Sequence, residues 1–260
     1  MHAINTGLID QKRYVGTLSL FFLFFLATIA ITPLIGSTQI DLEKVFSSNV
    51  PFSDNVDANI LFLARVPRII LAALSGAALS VAGAVFQSLL RNDLAAPFTL
   101  GVSSGAALGA VIAMSLGLSY TVAGIPTVPI AAFLGALGAI TLVFSLARTR
   151  TGEFPTSVLL LAGVTANFFF AAMVMLIHYL SDFTQSFRIV RWLMGGLDIT
   201  SYQTLLSISP MILIGFVILM VISRDLNIIS TGIQSAMSRG VEVIKIQKIG
   251  FVMASLLTGT

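Results

Sequence analysis

Between residues 14 and 35 the chain carries no charged side chain. A helix needs about 20 mostly apolar residues to cross a hydrocarbon core of ~30 Å at 1.5 Å per residue, and this run is long enough. Similar runs recur along the rest of the chain, so burial in lipid rather than around a single soluble core is the constraint that any fold must satisfy. Hydrophobic residues fill 57% of the 260 positions and charged residues 10%, against roughly 25% charged in a soluble domain. That leaves too little polar material to coat a water-facing surface. It excludes a disordered tail, a nucleic-acid binder and an ordinary cytosolic enzyme. The expected class is an all-α polytopic membrane protein, read as a single domain over residues 1–260.

About six complete transmembrane helices and the start of a seventh are expected. The first covers 14–35, too long for the apolar core of a signal peptide and followed by no small-residue cleavage site, so it reads as a retained helix. A polar stretch over 37–68 leads to a second helix over 69–90, stopped by Arg91-Asn92-Asp93 and Pro97. The third is expected over 98–118, the fourth over 124–147, the fifth over 156–180 with Pro155 at its entry, and the sixth over 202–223. Residues 224–248 are polar and amphipathic, and 249–260 begin a seventh apolar run of twelve residues, about 18 Å at helical rise. Twelve residues are too few to span, so the chain is expected to be C-terminally incomplete. Placing the N-terminus inside puts nine Lys and Arg residues on the inner side and five on the outer. The excess supports a cytoplasmic N-terminus.

Catalytic chemistry is nearly missing from the sequence. The two histidines are His2 and His178, there is no cysteine, and no metalloprotease, hydrolase or phosphate-loop motif occurs. No acidic residue lies mid-span to relay protons or sodium. An enzyme is not expected, nor a cofactor, a metal site or a nucleic-acid partner.

Three features stand out. Gly101, Gly105 and Gly109 lie four apart on one helix face, and with Gly76 and Gly83 on the second helix they predict a tight inner helix pair; packing alone also accounts for such spacing. Arg65 and Arg68 flank Pro67 at the outer mouth of the second helix, either snorkelling to headgroups or offered to carboxylates of a soluble partner. Over 225–248, Ile229, Ile233 and Met237 at i, i+4 and i+8 suggest a short helix, with a break at Gly240 and a second helical stretch beyond it. The pattern fits an interfacial helix or a docking helix for a cytosolic subunit.

Arg65-Val66-Pro67-Arg68, the run from Gly76 through Gly83 to Gln87, Arg91-Asn92-Asp93-Leu94-Ala95-Ala96-Pro97 and Leu100-Gly101-Val102-Ser103-Ser104-Gly105 resemble the FecCD-type permease family. Further matches are Thr156-Ser157 with Gly163, Arg191-Trp192 with Gly195-Gly196, and Leu226-Asn227 with Ser238-Arg239-Gly240-Val241. The ordered matches run from about residue 41 to 260. Asp93 departs from the family's proline at that place.

The resemblance implies a BtuC-like permease bundle in the bacterial cytoplasmic (inner) membrane. It implies a dimer with a second copy or a paralogue, two cytosolic ATPase subunits and a periplasmic or lipoprotein substrate-binding protein. Arg65 and Arg68 fall on the family's docking arginines, Thr156 and Ser157 on its cytoplasmic gate. Asn227, Ser238, Arg239, Gly240 and Val241 fall on the loop that couples to the ATPase, within a cytoplasmic coupling loop over 225–248. Asn167, Phe168, Met173 and Met175 are candidates for lining the pathway, about half of them packing residues instead. The implied cargo is a ferric siderophore, with vitamin B12 and haem as alternatives; a non-transporting or truncated subunit of a membrane complex is the rival of another class. Family members carry ten spans, so the last three helices are expected to be missing.

Overall fold

A computed structural model describes residues 11–47, 51–118, 120–122, 125–147, 155–197 and 202–259. It divides into two compact units, residues 1–70 with 199–201 and residues 71–198 with 202–260. His2, Arg148, Arg150, Glu153 and Asp198 lie outside the described residues, as does the side chain of Thr156.

In the first unit, α1 (Gln11–Ile31) ends in a 3-10 turn over Thr32–Leu34 with Pro33 at its start. The segment expected to be a polar link is partly helical. Asp41 caps α2 (Leu42–Val45) by accepting the Glu43 N–H at 3.0 Å. Asn55 caps α3 (Val56–Asn59): its Oδ1 accepts from the Ala58 N–H at 3.1 Å and its Nδ2 donates to the Lys44 carbonyl at 2.7 Å. Asn55 is buried, and using both ends of its amide removes the penalty of burying it. Val45, Ala58 and Leu61 pack together around this bond. From α3 the chain passes through a π turn, Ile60–Arg65, into α4 (Val66–Leu90). The second span therefore begins at Val56, well before the expected residue 69. The π turn widens the coil where the ring of Pro67 would otherwise press on the carbonyl four residues back.

The second unit contains the rest of α4, then α5 (Val102–Ser115), a small hairpin of β1 (Thr121–Val122) and β2 (Ile125–Pro126), α6 (Thr127–Ala147) and α7 (Thr156–Leu180). It continues with α8 (Phe183–Leu193), α9 (Tyr202–Val221), α10 (Ser223–Ser230), α11 (Ile233–Ser238) and α12 (Val243–Gly259). Among the described residues four helices are long and apolar enough to span: Lys12–Leu34, Val56–Leu90, Thr127–Ala147 and Ser157–Leu180. A fifth is a pair, Leu205–Val221 with Ser223–Ser230, bent by 57°. The bundle matches the expected all-α membrane class. The third helix is shorter than expected, because a 3-10 turn over Pro97–Leu100 and the left-handed Gly101 (φ 71°) precede α5. The seventh begins earlier, at Val243.

Packing in this unit rests on two contacts. The first is between α5 and α6. A Cβ on Gly105 would lie 2.8 Å from the Gly135 carbonyl oxygen and also meet Ala139; one on Gly109 would run into the Ala131 carbonyl, and one on Gly135 into that of Gly105. The helices touch backbone to backbone. This corrects the expected pairing of the Gly101–Gly109 stripe with Gly76 and Gly83, where an added Cβ would have no described atom within 4 Å. The second contact is aromatic. Phe251 on α12 is fully buried, its ring 5.7 Å from Phe86 of α4 and 4.9 Å edge-on from Phe144 of α6. Such pairs add about 0.5–1.5 kcal/mol each beyond burial.

Gly109→Ala is expected to destabilise the purified protein by about 1–3 kcal/mol, the usual range for overpacking. Gly76→Ala should stay within about 1 kcal/mol of the parent, the size of the glycine–alanine helix difference. Thermal unfolding of the two variants side by side in detergent measures the contrast.

Candidate functional site

Arg65, the last residue of the π turn, is half-buried and turned toward its own chain. Its guanidinium donates to the Pro33 carbonyl at 2.7 Å and to the Thr38 carbonyl. A Cβ on Gly36 would stand 2.6 Å from a guanidinium nitrogen, so the glycine makes room for the clamp. Arg65 thus ties the exit of α1 to the entry of α4. Arg68 is exposed and borders the same cavity of about 260 Å³. The structure brings the two arginines together, with different surroundings.

Thr156 opens α7 and Ser157, which follows, is exposed. Along α7, Leu159, Ala162, Ala166 and Phe170 form the buried face. Phe168 and Met175 lie on the opposite face, 70% and 74% exposed. Asn167 and Met173 are half-buried; at 100° per residue Met173 falls within the packed face and Asn167 at its edge. The four candidates therefore do not share one surface. Gly163, one turn from Asn167, was not singled out for packing, yet a Cβ on it would lie 2.7 Å from the Leu100 Cα. Gly101 faces it, where an added Cβ would lie 3.2 Å from the Gly163 carbonyl.

The segment after α9 is two helices rather than one. Gly232 (φ 140°) separates α10 from α11, which breaks the expected run of Ile229, Ile233 and Met237. Ile229 is sealed in the core and Met237 is 48% exposed. Leu226, Ile229 and Ala236 anchor the segment, and Asn227, Ser238, Arg239 and Gly240 face outward, with Val241 half-buried. Gly240 is left-handed (φ 79°), so the break expected there is present. The result is a rigidly anchored polar ridge at one end of the bundle.

Near this ridge the turn after α4 is held by its own side chains. The Gln87 amide donates to the Asp93 carbonyl at 2.9 Å, and Asn92 accepts from the Leu94 N–H at 2.9 Å. Among the described residues no group of three His, Cys, Asp or Glu side chains could hold a metal ion.

The model of the FecCD transport family matches residues 21–260. The chain belongs to the FecCD transport family. It is similar to the ABC transporter permease protein YvrB of Bacillus subtilis, 38% identical over 83% of this chain and 61% of that one. It is also similar to the cobalamin import system permease protein BtuC of Halobacterium salinarum, 36% identical over 75% of this chain and 51% of that one. This FecCD chain therefore spans between half and two thirds of the length of these two relatives. A solved structure assigned to a metal-chelate type ABC transporter, in an inward-facing conformation, superposes with a TM-score of 0.76 at 29% identity. That match covers 95% of this chain and 75% of the other.

Arg65→Gln removes both carbonyl contacts and is expected to raise amide exchange over residues 33–38 by about tenfold or more, the scale of a hydrogen bond from a charged donor. Exchange in α12 should be unchanged. Hydrogen–deuterium exchange with mass spectrometry reads both segments in one experiment.

Proposed function

We propose that this chain is the membrane-spanning permease of an ATP-binding-cassette importer, working as a dimer in the bacterial inner membrane with its N-terminus in the cytoplasm. The observation that carries the reading is the family match over 21–260 together with the anchored ridge of α10 and α11. Hydrolysis would belong to separate cytosolic ATPase subunits, since the chain holds no phosphate-binding loop motif. Those subunits would seat on Asn227, Ser238, Arg239, Gly240 and Val241. ATP-driven closure would move the ridge and, through its buried anchors Leu226, Ile229 and Ala236, tilt the bundle.

Arg68 is the exposed cation offered to a substrate-binding protein, and Arg65 holds the loop that presents it. Phe168 and Met175 are the α7 residues placed to face a cavity shared with a second copy. Thr156 and Ser157, at the start of α7, would stand at its cytoplasmic gate. The cargo class is a bulky metal chelate, in keeping with the metal-chelate transporter of similar fold and the cobalamin permease. A ferric siderophore is the cargo the family resemblance favours, with haem and vitamin B12 as the alternatives.

Proteoliposomes holding the permease, the co-purifying ATPase and the binding protein should take up a radio-iron siderophore only with ATP inside. Uptake of cobalamin or haem in its place would reassign the cargo, and no ATP-dependent uptake of any of the three would overturn the importer reading. Arg68→Glu is expected to weaken binding-protein association about tenfold, the order of a charge-assisted contact, without changing ATPase co-purification.

A further inference from the structure

A cavity of about 440 Å³ opens where the turn after α4, the entry of α7, α11 and the first turns of α12 meet. Arg91, Gln234, Ser235 and Gln247 supply its polar wall, and Ile233 and Val243 part of its apolar wall. Three observations set it apart from a packing gap.

The first is Gln247. It sits on α12 at 4% exposure, and no side-chain hydrogen bond reaches it from any described residue. Every fully sealed side-chain nitrogen or oxygen among the described residues has a partner, so the Gln247 amide keeps its remaining accessibility, and the open space it borders is this cavity. An amide held nine-tenths buried without a partner costs about 1–3 kcal/mol unless a ligand or water completes it.

The second is Arg91. It is the one described non-glycine residue with positive φ, 48°, a conformation uncommon outside Gly, Asn and Asp. The Gln87–Asp93 and Asn92–Leu94 bonds lock that turn. The guanidinium at the cavity wall has no hydrogen-bond or ion-pair partner among the described residues. An exposed guanidinium on a locked turn thus lines the same cavity as an unpaired amide.

The third is the field around them. Lys245 and Lys248 border a neighbouring cavity that shares Met237, Val243 and Ile244 with this one, together with Glu242, whose carboxylate is already 3.7 Å from Lys245. The surface is complementary to an acidic one.

We infer that this cavity is a socket for an aspartate or glutamate side chain projecting from the cytosolic ATPase subunit, its carboxylate received by Arg91 and Gln247. The inference rests on the importer reading and adds to it a contact in the cleft between α11 and the turn after α4, the entry of α7 and α12. A guanidinium and an amide donor suit the two oxygens of a carboxylate, and the apolar wall suits the methylene stem that carries it. Because the socket joins α11 to the turn after α4, the entry of α7 and α12, force from the ATPase would reach those elements directly and not only through the buried anchors of the ridge.

The test uses the full chain in nanodiscs of uncharged lipid and the ATPase subunit identified by co-purification with the parent protein. Arg91→Asn keeps a residue tolerant of positive φ and removes the cation; Gln247→Leu removes the amide at similar volume. Both are expected to weaken ATPase binding about tenfold or more with melting temperatures near the parent's. Arg91→Asn alone should flatten the salt dependence, because it alone deletes a charge. Arg91→Glu should be rescued by an acid-to-lysine change on the ATPase surface. Binding of Arg91→Asn and Gln247→Leu within twofold of the parent would overturn the socket while leaving the importer reading intact. If no ATPase accompanies the parent protein, both readings fall. Arg91-dependent binding of inorganic phosphate, or of phosphatidylglycerol in the nanodisc, with unchanged ATPase affinity would also overturn the socket and assign the site to a free or lipid phosphate.

Discussion

In a bilayer, apolar side chains gain nothing by leaving lipid for one another, so helices associate through close van der Waals contact and backbone approach. The crossing of α5 and α6 is built on that constraint. Gly105 and Gly109 meet Ala131, Gly135 and Ala139 so closely that a single methyl would collide with a carbonyl. With α5 only 14 residues long, about 21 Å at helical rise, this short helix cannot be held by reaching both headgroup layers. It is held by its neighbours, by α6 on one side and by the Gly101–Gly163 approach to α7 at its entry.

Around that crossing the large side chains are arranged to fill what the glycines leave. Phe251 between Phe86 and Phe144 joins α12 to α4 and α6. Gly250, next to it, admits Leu89 and Val85. Ser255 is buried on α12, and its hydroxyl donates to the Phe251 carbonyl at 2.7 Å, so no polar group is stranded. The same core reaches the α10–α11 ridge through Leu226, Ile229 and Ala236. A displacement of the ridge would therefore be passed to the packed aromatic centre, which is what the proposed coupling role requires.

Much of this could be read from the chain, for identifiable reasons. The span over 156–180 was located to the residue, because Pro155 marks its start and the charge-free run its length. The stop at Arg91 and the break at Gly240 were visible, since Gly, Pro and charge clusters act locally. The second span was placed too late: Pro67 reads as a boundary, yet a π turn carries the helix through it. The α10–α11 run was read as one helix because apolar spacing persists across Gly232 even though the backbone does not. On the site side, Asn227, Ser238 and Arg239, singled out by their motif, are exposed. The inward turn of Arg65 was not legible, because it depends on contacts distant in sequence; the spread of Asn167, Phe168, Met173 and Met175 around α7 follows from helical periodicity, and only which of them are covered needed the fold.

The sequence by itself determined the solvent, the class and the family: uncharged runs of span length force helices into lipid, and ordered short motifs carry the kinship. Tertiary structure alone decided which helix the glycine stripe meets, since any stripe of small residues permits close approach and none encodes its partner. It also decided that Arg65 serves two carbonyls of its own chain while Arg91 and Gln247 are left facing a cavity. Carbonyl acceptors occur at every residue, so a side chain's partner is chosen by where the fold brings the backbone, and no local pattern of residue types records that choice.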